Sequence, residues 1–345
     1  MILNIIMATD DNYCTHLGVC LTSIMENNKK NEISFHLLNN NISKGNIEKI
    51  NQIDEKYKNL HVHYYDFNKY FTENDYVDIF DENLKGKNSF FNLLGISTFA
   101  RLFLADILPE TIDKILYLDC DMIVLNDLSE LYNTNIKDYY CAGCIESNIP
   151  KYVYYGKHSD TPFINAGTLL INLKKWRQEN FRQQCIDLIK EYPDKNFLHD
   201  QNIINIVARD KIKFVSSKFN ANTRNYYVNY GKILKLHKTF GSIEKFDSEE
   251  QMKETLKNPT IIHFQSQIWD RPWIKKANLF NHAVKNPFNE KYYFYKELSP
   301  WKDEPLQENN KKFTSKLYFE AVRFMMVYLP SPVLIILHHL QVKFL

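Results

Sequence analysis

Residues 114–127 read KILYLDCDMIVLND, and this stretch decides the fold. An apolar run bound for a protein interior carries two carboxylates, Asp119 and Asp121, one residue apart in its middle. If the run is a strand, alternate side chains face opposite ways and both acids point to the same side. Two like charges held together away from water are unstable unless a cation sits between or beside them. Hard oxygen ligands suit Mg²⁺ or Mn²⁺ better than zinc. The plainer alternative ends the strand at Leu118 and makes the acids loop or cap residues. That alternative suits Asp127, which with Glu130 has the pattern of a helix-opening capping box in DLSEL. It suits Asp119 and Asp121 less well, because MIVL resumes the apolar run at once.

Apolar runs of strand length recur on either side: LNIIMAT, ISFHLLNN, HVHYYDF, YYCAGCI, TLLINL, KFVSS and TIIHF. Helical patterns separate the first ones, as in HLGVCLTSIMENN and KGNIEKINQIDEKYKNL. Alternating strands and helices predict an α/β fold, a Rossmann-like, mostly parallel sheet flanked by helices. Ligands of such sheets collect beyond the carboxyl ends of the strands, near a switch in strand order. The residues that follow the strands, DDNY, DCD and HFQS, are therefore the ones to watch.

Bulk properties remove several function classes. The chain has 345 residues and a formal net charge of +2, too little excess of Lys and Arg for a nucleic-acid binder. Among nine glycines there is no G-x-G-x-x-G and no P-loop pattern, which argues against a dinucleotide fold or a nucleotide triphosphatase. Cys141 and Cys144 make a lone C-x-x-C without a second pair, so buried strand cysteines are the simpler account than zinc or redox chemistry. The opening MILNIIMATDDN lacks the cationic flank and apolar length of a signal peptide and reads as a first buried strand. The cysteine usage suits a reducing cytoplasm.

The last part of the chain differs in character. From about residue 301 a polar, Lys-bearing stretch leads into KLYFEAVRFMMVYLPSPVLIILHHLQVKFL. Glu320, Arg323 and the Pro330-Ser-Pro332 break interrupt its apolar halves before either reaches the ~20 residues of a membrane span. With Lys311, Lys312, Lys316 and Arg323 nearby, the tail reads as helical, amphipathic segments lying on an anionic membrane surface. A helix closing the core or binding a partner is the alternative. The chain thus divides into residues 1–275, a catalytic domain, and 276–345, a helical extension.

Six ordered blocks carry a resemblance. They are ATDDNY at 8–13, STFARL at 97–102, YLDCD, FINAGTLLINLKKW at 163–176, HDQNIIN at 199–205 and IIHF at 261–264. YLDCDMIV resembles the D-x-D element of glycosyltransferases with the GT-A fold. The set as a whole resembles glycosyltransferase family 8, in particular the bacterial lipopolysaccharide and lipooligosaccharide galactosyl- and glucosyltransferases. The resemblance implies a retaining hexosyltransferase that uses a UDP-glucose or UDP-galactose donor and a glycan or glycolipid acceptor. It implies a cytoplasmic enzyme, peripheral on the inner face of the bacterial cytoplasmic membrane.

The resemblance also implies roles. Asp119, Asp121 and His263 would hold Mn²⁺ on the donor diphosphate, with Mg²⁺ as a possible substitute; read by itself, His263 would be a strand-end histidine. Asp10 would accept a hydrogen bond from the uracil N–H, Asn12 would meet a base carbonyl or ribose, and Tyr13 would stack on the ring, although such a loop also suits a cap for a helix beginning near residue 14. Arg101 would pair with a diphosphate or with an acidic neighbour of the metal site. Asn165, Ala166 and Gly167 would stand at the entrance of a strand starting near Thr168, with Asn165 on sugar hydroxyls and Gly167 leaving room for a ligand. Asp200 would touch the donor sugar, Gln201 would lie near the anomeric carbon, and Glu146 would face the sugar and acceptor pocket.

One block departs from the family. HFQSQIWDRPW has Arg271 before Pro272-Trp273 where relatives have a Gly and a Lys, so Arg271 becomes the expected phosphate clamp, with a different geometry from Lys. No carboxylate reads as a nucleophile, which favours front-face attack by the acceptor hydroxyl. Two rivals stand beside this reading: a nucleotide-sugar-binding module without turnover, and a metal-dependent phosphatase of the haloacid dehalogenase type. The second needs a later Lys and acidic cluster, whereas Asp10 and Asp11 lie upstream.

Overall fold

Strand β1 (Ile2–Asp10) alternates its side chains between two apolar layers: Leu3, Ile5 and Met7 on one face, Ile6 on the other. That period-two pattern sets the architecture, because a sheet buried on both faces needs helices on both. In the computed structural model, which describes residues 1–74, 96–146, 163–191, 200–240, 247–265, 271–275, 286–308 and 313–336, the chain is such an α/β sandwich. The sheet also contains β2 (Glu32–Asn40), β3 (Leu60–Asp66), β4 (Lys114–Leu118), β6 (Cys141–Ile145), β7 (Ile164–Asn172) and β8 (Ile212–Val215). Its order is β3-β2-β1-β4-β7-β6-β8. All neighbours run parallel except β7, which is antiparallel to both β4 and β6. The strand order reverses direction between β1 and β4, the place where this class of sheet opens a ligand crevice.

A second, smaller sheet supplies the other wall. It is made of β5 (Met122–Val124), β10 (Ile261–His263) and β9 (Ala221–Asn222), with β10 in the middle. Its register sets His263 opposite Met122, and Phe264 N donates to Asp121 O at 2.9 Å. Two distant pieces of sequence therefore meet at the end of β4.

Helix α1 (Cys14–Asn27) follows β1 after the short turn Asp11–Tyr13, and α2 (Lys44–Lys56) follows β2 with Ser43 as its N-cap. The C-terminal segment is fastened to α1. Trp301 is buried against Gly18, so closely that a Cβ on Gly18 would lie 2.2 Å from the indole. Tyr292 and Tyr295, on helix α3 (Asn289–Leu298), complete the contact; Tyr295 OH accepts from Asn27 Nδ2 at 2.8 Å. The polar stretch expected from residue 301 thus begins with a core residue. Beyond it, helix α4 (Phe313–Tyr328) sets Met326 and Val327 against Val228 and Ile233, while Phe313, Leu317, Phe324 and Tyr328 stay exposed. Among the described residues no helix is long and apolar enough to cross a membrane. Residues 337–345 of the tail lie outside the described residues.

Several local expectations change. The run at 114–127 is two strands: β4 stops at Leu118, where the plainer alternative ended it, and β5 begins at Met122. The chain breaks there because Asp119 N still bonds to Gly167 O (2.9 Å), after which the backbone leaves the large sheet for the small one. Strand β7 begins at Ile164, four residues before the expected Thr168, so Asn165, Ala166 and Gly167 lie inside it. Asp127 forms no capping box; its Oδ1 accepts from Ser129 N (2.7 Å), and Glu130 pairs with Lys218 instead. The six cysteines are free and buried, and Cys141 and Cys144 belong to opposite faces of the sheet, so the C-x-x-C is a strand pattern.

Candidate active site

At the carboxyl ends of β1 and β4 lies a cleft of about 450 Å³. Its lining includes Asp10, Tyr13, Arg101, Asp119, Asp121, Asn165, Ala166, Gly167, Asp200, Gln201, His263 and Arg271, all but two of the residues given roles in the sequence, and also Gln265. Asn12 is exposed on the turn after β1 and is not part of the lining; Glu146 is buried behind it.

Asp119, Asp121 and His263 each bring one ligand atom within 4.8 Å of the others. The acids lie off the strand, in the link between β4 and β5, yet they converge as required of metal ligands. His263 Nε2 stands 3.1 Å from Asp121 Oδ1 and 3.9 Å from Asp119 Oδ2. On its other side, His263 Nδ1–H donates to Asn220 Oδ1 at 2.9 Å. A carbonyl acceptor on one ring nitrogen turns the lone pair of the other toward the cleft, the usual arrangement behind a metal-bound imidazole. Gly167 shapes the floor: a Cβ there would meet His263 Cε1 at 2.5 Å and Met122 Cε at 2.8 Å.

The charges around this cluster are uneven. Burial and the neighbouring Asp121 push the Asp119 carboxyl up, although Arg101 pulls it down. Burial also opposes ionisation of Asp121, but His263, which both attracts it and hydrogen-bonds to it, and Arg271 hold it well below the usual carboxylate range. Crowded acids of this kind gain from a divalent cation, which removes the repulsion that raises Asp119.

Arg101 lies on the 3-10 helix Ile96–Phe103 and is 5% exposed, so it is no snorkelling surface residue. Its Nη2 donates to Asp119 Oδ1 (3.0 Å), its Nε pairs with Asp200 Oδ2 (2.8 Å) and its Nη1 donates to Ala166 O (2.6 Å). Of the two partners expected for it, the structure shows the acidic one. Arg271 spans the opposite side. Its Nη2 lies 3.4 Å from Asp121 Oδ2 and donates to Gln265 O (2.9 Å), and its Nη1 reaches the Tyr13 hydroxyl at 3.4 Å. Trp273 holds this segment down by packing its ring, tilted, against His16, with centroids 4.2 Å apart. Residues 266–270 of the departing block are outside the described residues.

Amides fix the remaining wall. Glu146 Oε2 accepts from Asn165 Nδ2 (2.6 Å), Gln201 Nε2 (3.3 Å) and Gln265 Nε2 (3.2 Å). Gln201 is held at both ends, since its Oε1 accepts from Ala166 N at 3.0 Å. Asp10 accepts from Tyr13 N (3.1 Å) and so caps the turn Asp11–Tyr13 that leads into α1 while also bordering the cleft. The cap and cleft roles, weighed as alternatives in the sequence, are compatible. Asn220, Gln265 and Asn222 were missed by sequence reasoning. The only signal was a run of asparagines, FNANTRN, unusually polar for a segment just after a core strand.

A profile described as Glycosyl transferase family 8 matches residues 4–277. The chain belongs to that family. This family 8 enzyme is a glycosyltransferase. It is 26% identical to general stress protein A of Bacillus subtilis over 305 residues, covering 87% of this chain and 95% of the relative. It is 24% identical to the lipopolysaccharide 1,2-glucosyltransferase of Escherichia coli, covering 91% and 83%. The fold is similar to that of the galactosyltransferase LgtC solved with donor and acceptor sugar analogues, with a TM-score of 0.64 at 22% identity, covering 86% of this chain and 96% of that one.

Proposed function

We propose that this glycosyltransferase moves glucose or galactose, with retention of configuration, from a UDP-sugar to a hydroxyl of a cell-surface glycan of the lipopolysaccharide or capsule type. The observation that carries the reading is the convergence of Asp119, Asp121 and His263 at the foot of a cleft flanked by Arg271. The donor set, two carboxylates and an imidazole backed by Asn220, fits Mn²⁺, and Gly167 leaves the space the imidazole needs. Mn²⁺ held there on a diphosphate would stabilise the charge that grows on the departing oxygens. In this reading Arg271 adds a second positive charge on the leaving-group side, and Asp10 and Tyr13 receive the uridine at the turn before α1. Asn165, Gln201 and Asp200 face the hexose. The relative that is a lipopolysaccharide glucosyltransferase supports the acceptor class.

Attack from the front face is supported by what the acids are already doing. Asp200 is paired with Arg101 at 2.8 Å, and both ends of the Gln201 amide are occupied, so neither offers a free nucleophile. We assign residues 1–275 as the catalytic unit, supported by the family match to 4–277, and 276–345 as the extension. The exposed Phe313, Leu317, Phe324 and Tyr328, spaced to share one helix face, support seating of that extension on the inner face of the bacterial cytoplasmic membrane.

The test is a donor screen with Mn²⁺, following release of UDP from a panel of UDP-sugars. One of UDP-glucose or UDP-galactose should be cleaved, slowly by water and faster with acceptor. Asp121→Asn should lower that rate at least ~100-fold while the circular dichroism spectrum is kept. Full turnover by the variant would remove the metal assignment.

A further inference from the structure

Just past β9 the chain makes a 3-10 turn, Thr223–Tyr226, several of whose buried side-chain atoms are not paired. Arg224 is 3% exposed, and its Nε and Nη2 have no hydrogen-bond partner. Asn225 Oδ1 and the Tyr226 hydroxyl are likewise buried and unpartnered. The other buried cations among the described residues are satisfied: Arg101 by Asp119 and Asp200, Lys296 by the carbonyls of Lys302 and Glu304, Arg323 by Glu320. A buried guanidinium without an anion is strongly unfavourable, and a native structure keeps one only where something else completes it.

The turn borders the candidate site through named contacts. Asn222, register partner of His263, donates to Gln265 Oε1 at 2.6 Å and accepts from Arg224 N at 2.9 Å. Gln265 in turn donates to Glu146, whose attraction reaches the Arg224 guanidinium. That attraction is insufficient, and burial pulls the guanidinium down to about 10. Arg224 is not part of the cleft lining around the Asp119, Asp121 and His263 cluster, where Arg271 already provides for a diphosphate. The anion it lacks is therefore a second one.

We propose that Arg224, with Asn225 and Tyr226 beside it, binds an oxyanion, a carboxylate or phosphate, carried by the acceptor glycan. This rests on the donor reading above and adds the acceptor class to it: an acidic sugar. The planar fork of a guanidinium matches both groups, and the amide and hydroxyl can take neighbouring sugar hydroxyls.

Three probes test it on the full chain with Mn²⁺ and UDP-glucose present: methyl β-glucoside, methyl β-glucuronide and glucose 6-phosphate, titrated by ligand-observed NMR. At least one acidic probe should bind about tenfold or more tighter than the neutral one. In Arg224→Met that ratio should fall close to one, and the variant should melt at or above the wild-type temperature, since an unpaired charge has been removed. Equal binding of all three by the wild type overturns the proposal. So does a ratio that survives in the variant, or a variant that melts several degrees lower, which would mark a purely structural cation. UDP-glucuronate replaces UDP-glucose in a further arm: selective loss of its affinity in the variant would place the anion on the donor and overturn the acceptor assignment. UDP uptake by the wild type, titrated separately, reads the donor assignment itself.

Discussion

Gly167 has its Cα against the imidazole of His263, and the smallest possible side chain decides where a ligand atom stands. Gly167→Ala would force a Cβ to 2.5 Å from His263 Cε1 and 2.9 Å from Asn165 Oδ1, both held by hydrogen bonds. Turnover should fall about 10- to 100-fold, the scale of a displaced supporting group, with Mn²⁺ affinity falling in parallel in a metal titration. His16 makes a different prediction. Burial pushes its imidazole down to about 3, despite the pull of Asp121, so the folded protein keeps it neutral. The unfolded chain binds that proton below the ordinary 6.5, so stability from this residue is lost as pH falls from 6.5 toward 3 and is untouched above. His16→Gln should flatten the fall of melting temperature between pH 7 and 5 by the equivalent of about one proton. At this scale the two acids were legible because paired carboxylates inside an apolar run call for a cation, whereas His263 was marked only through the place of IIHF in the family resemblance. Asn220, Gln265 and Arg224 were not, because each gains its meaning from a partner more than thirty positions away or from lacking one.

Elements were legible wherever one period ruled. Strand β1 and the asparagine-flanked helix α1 stand where apolar alternation and spacing put them. The break at 119–121 stood only as the less favoured alternative, a strand ending at Leu118, because MIVL resumes the apolar run and what separates the two strands is their pairing partners, β7 for β4 and β10 for β5. Gly18, inside α1, is a slot for an aromatic ring. Gly18→Ala should therefore lower stability by ~1–3 kcal/mol through overpacking, although alanine is the better helix former. Trp301→Ala should cost ~3–5 kcal/mol by leaving the slot open. Chemical denaturation of both variants checks the order; a stabilised Gly18→Ala would show that the helix, not the ring, dominates.

For the whole molecule, the α/β class and the cleft position followed from the alternation of strand and helix patterns and from the rule about switch points, whereas the antiparallel β7 did not, since nothing in its composition tells direction. The tail was legible as amphipathic, but the attachment of its first part was not: Trp301, Tyr292 and Tyr295 contact residues far upstream. A chain ending at 308 keeps Trp301 and gives up the exposed apolar face. It should retain its melting temperature within a few degrees and lose sedimentation with anionic vesicles; a shortened chain that still pellets would refute the membrane role.

The ring lodged at Gly18 has a mechanical corollary. The turn that borders the crevice at Asp10 and Tyr13 runs straight into helix α1, which clasps Trp301 four residues beyond its start. The strap that includes Trp301 therefore cannot pivot without dragging the turn at Asp10 and Tyr13 with it. If the tail rests on a surface, the mouth of the enzyme keeps one tilt and one height above it, and only acceptors that project that far come within reach.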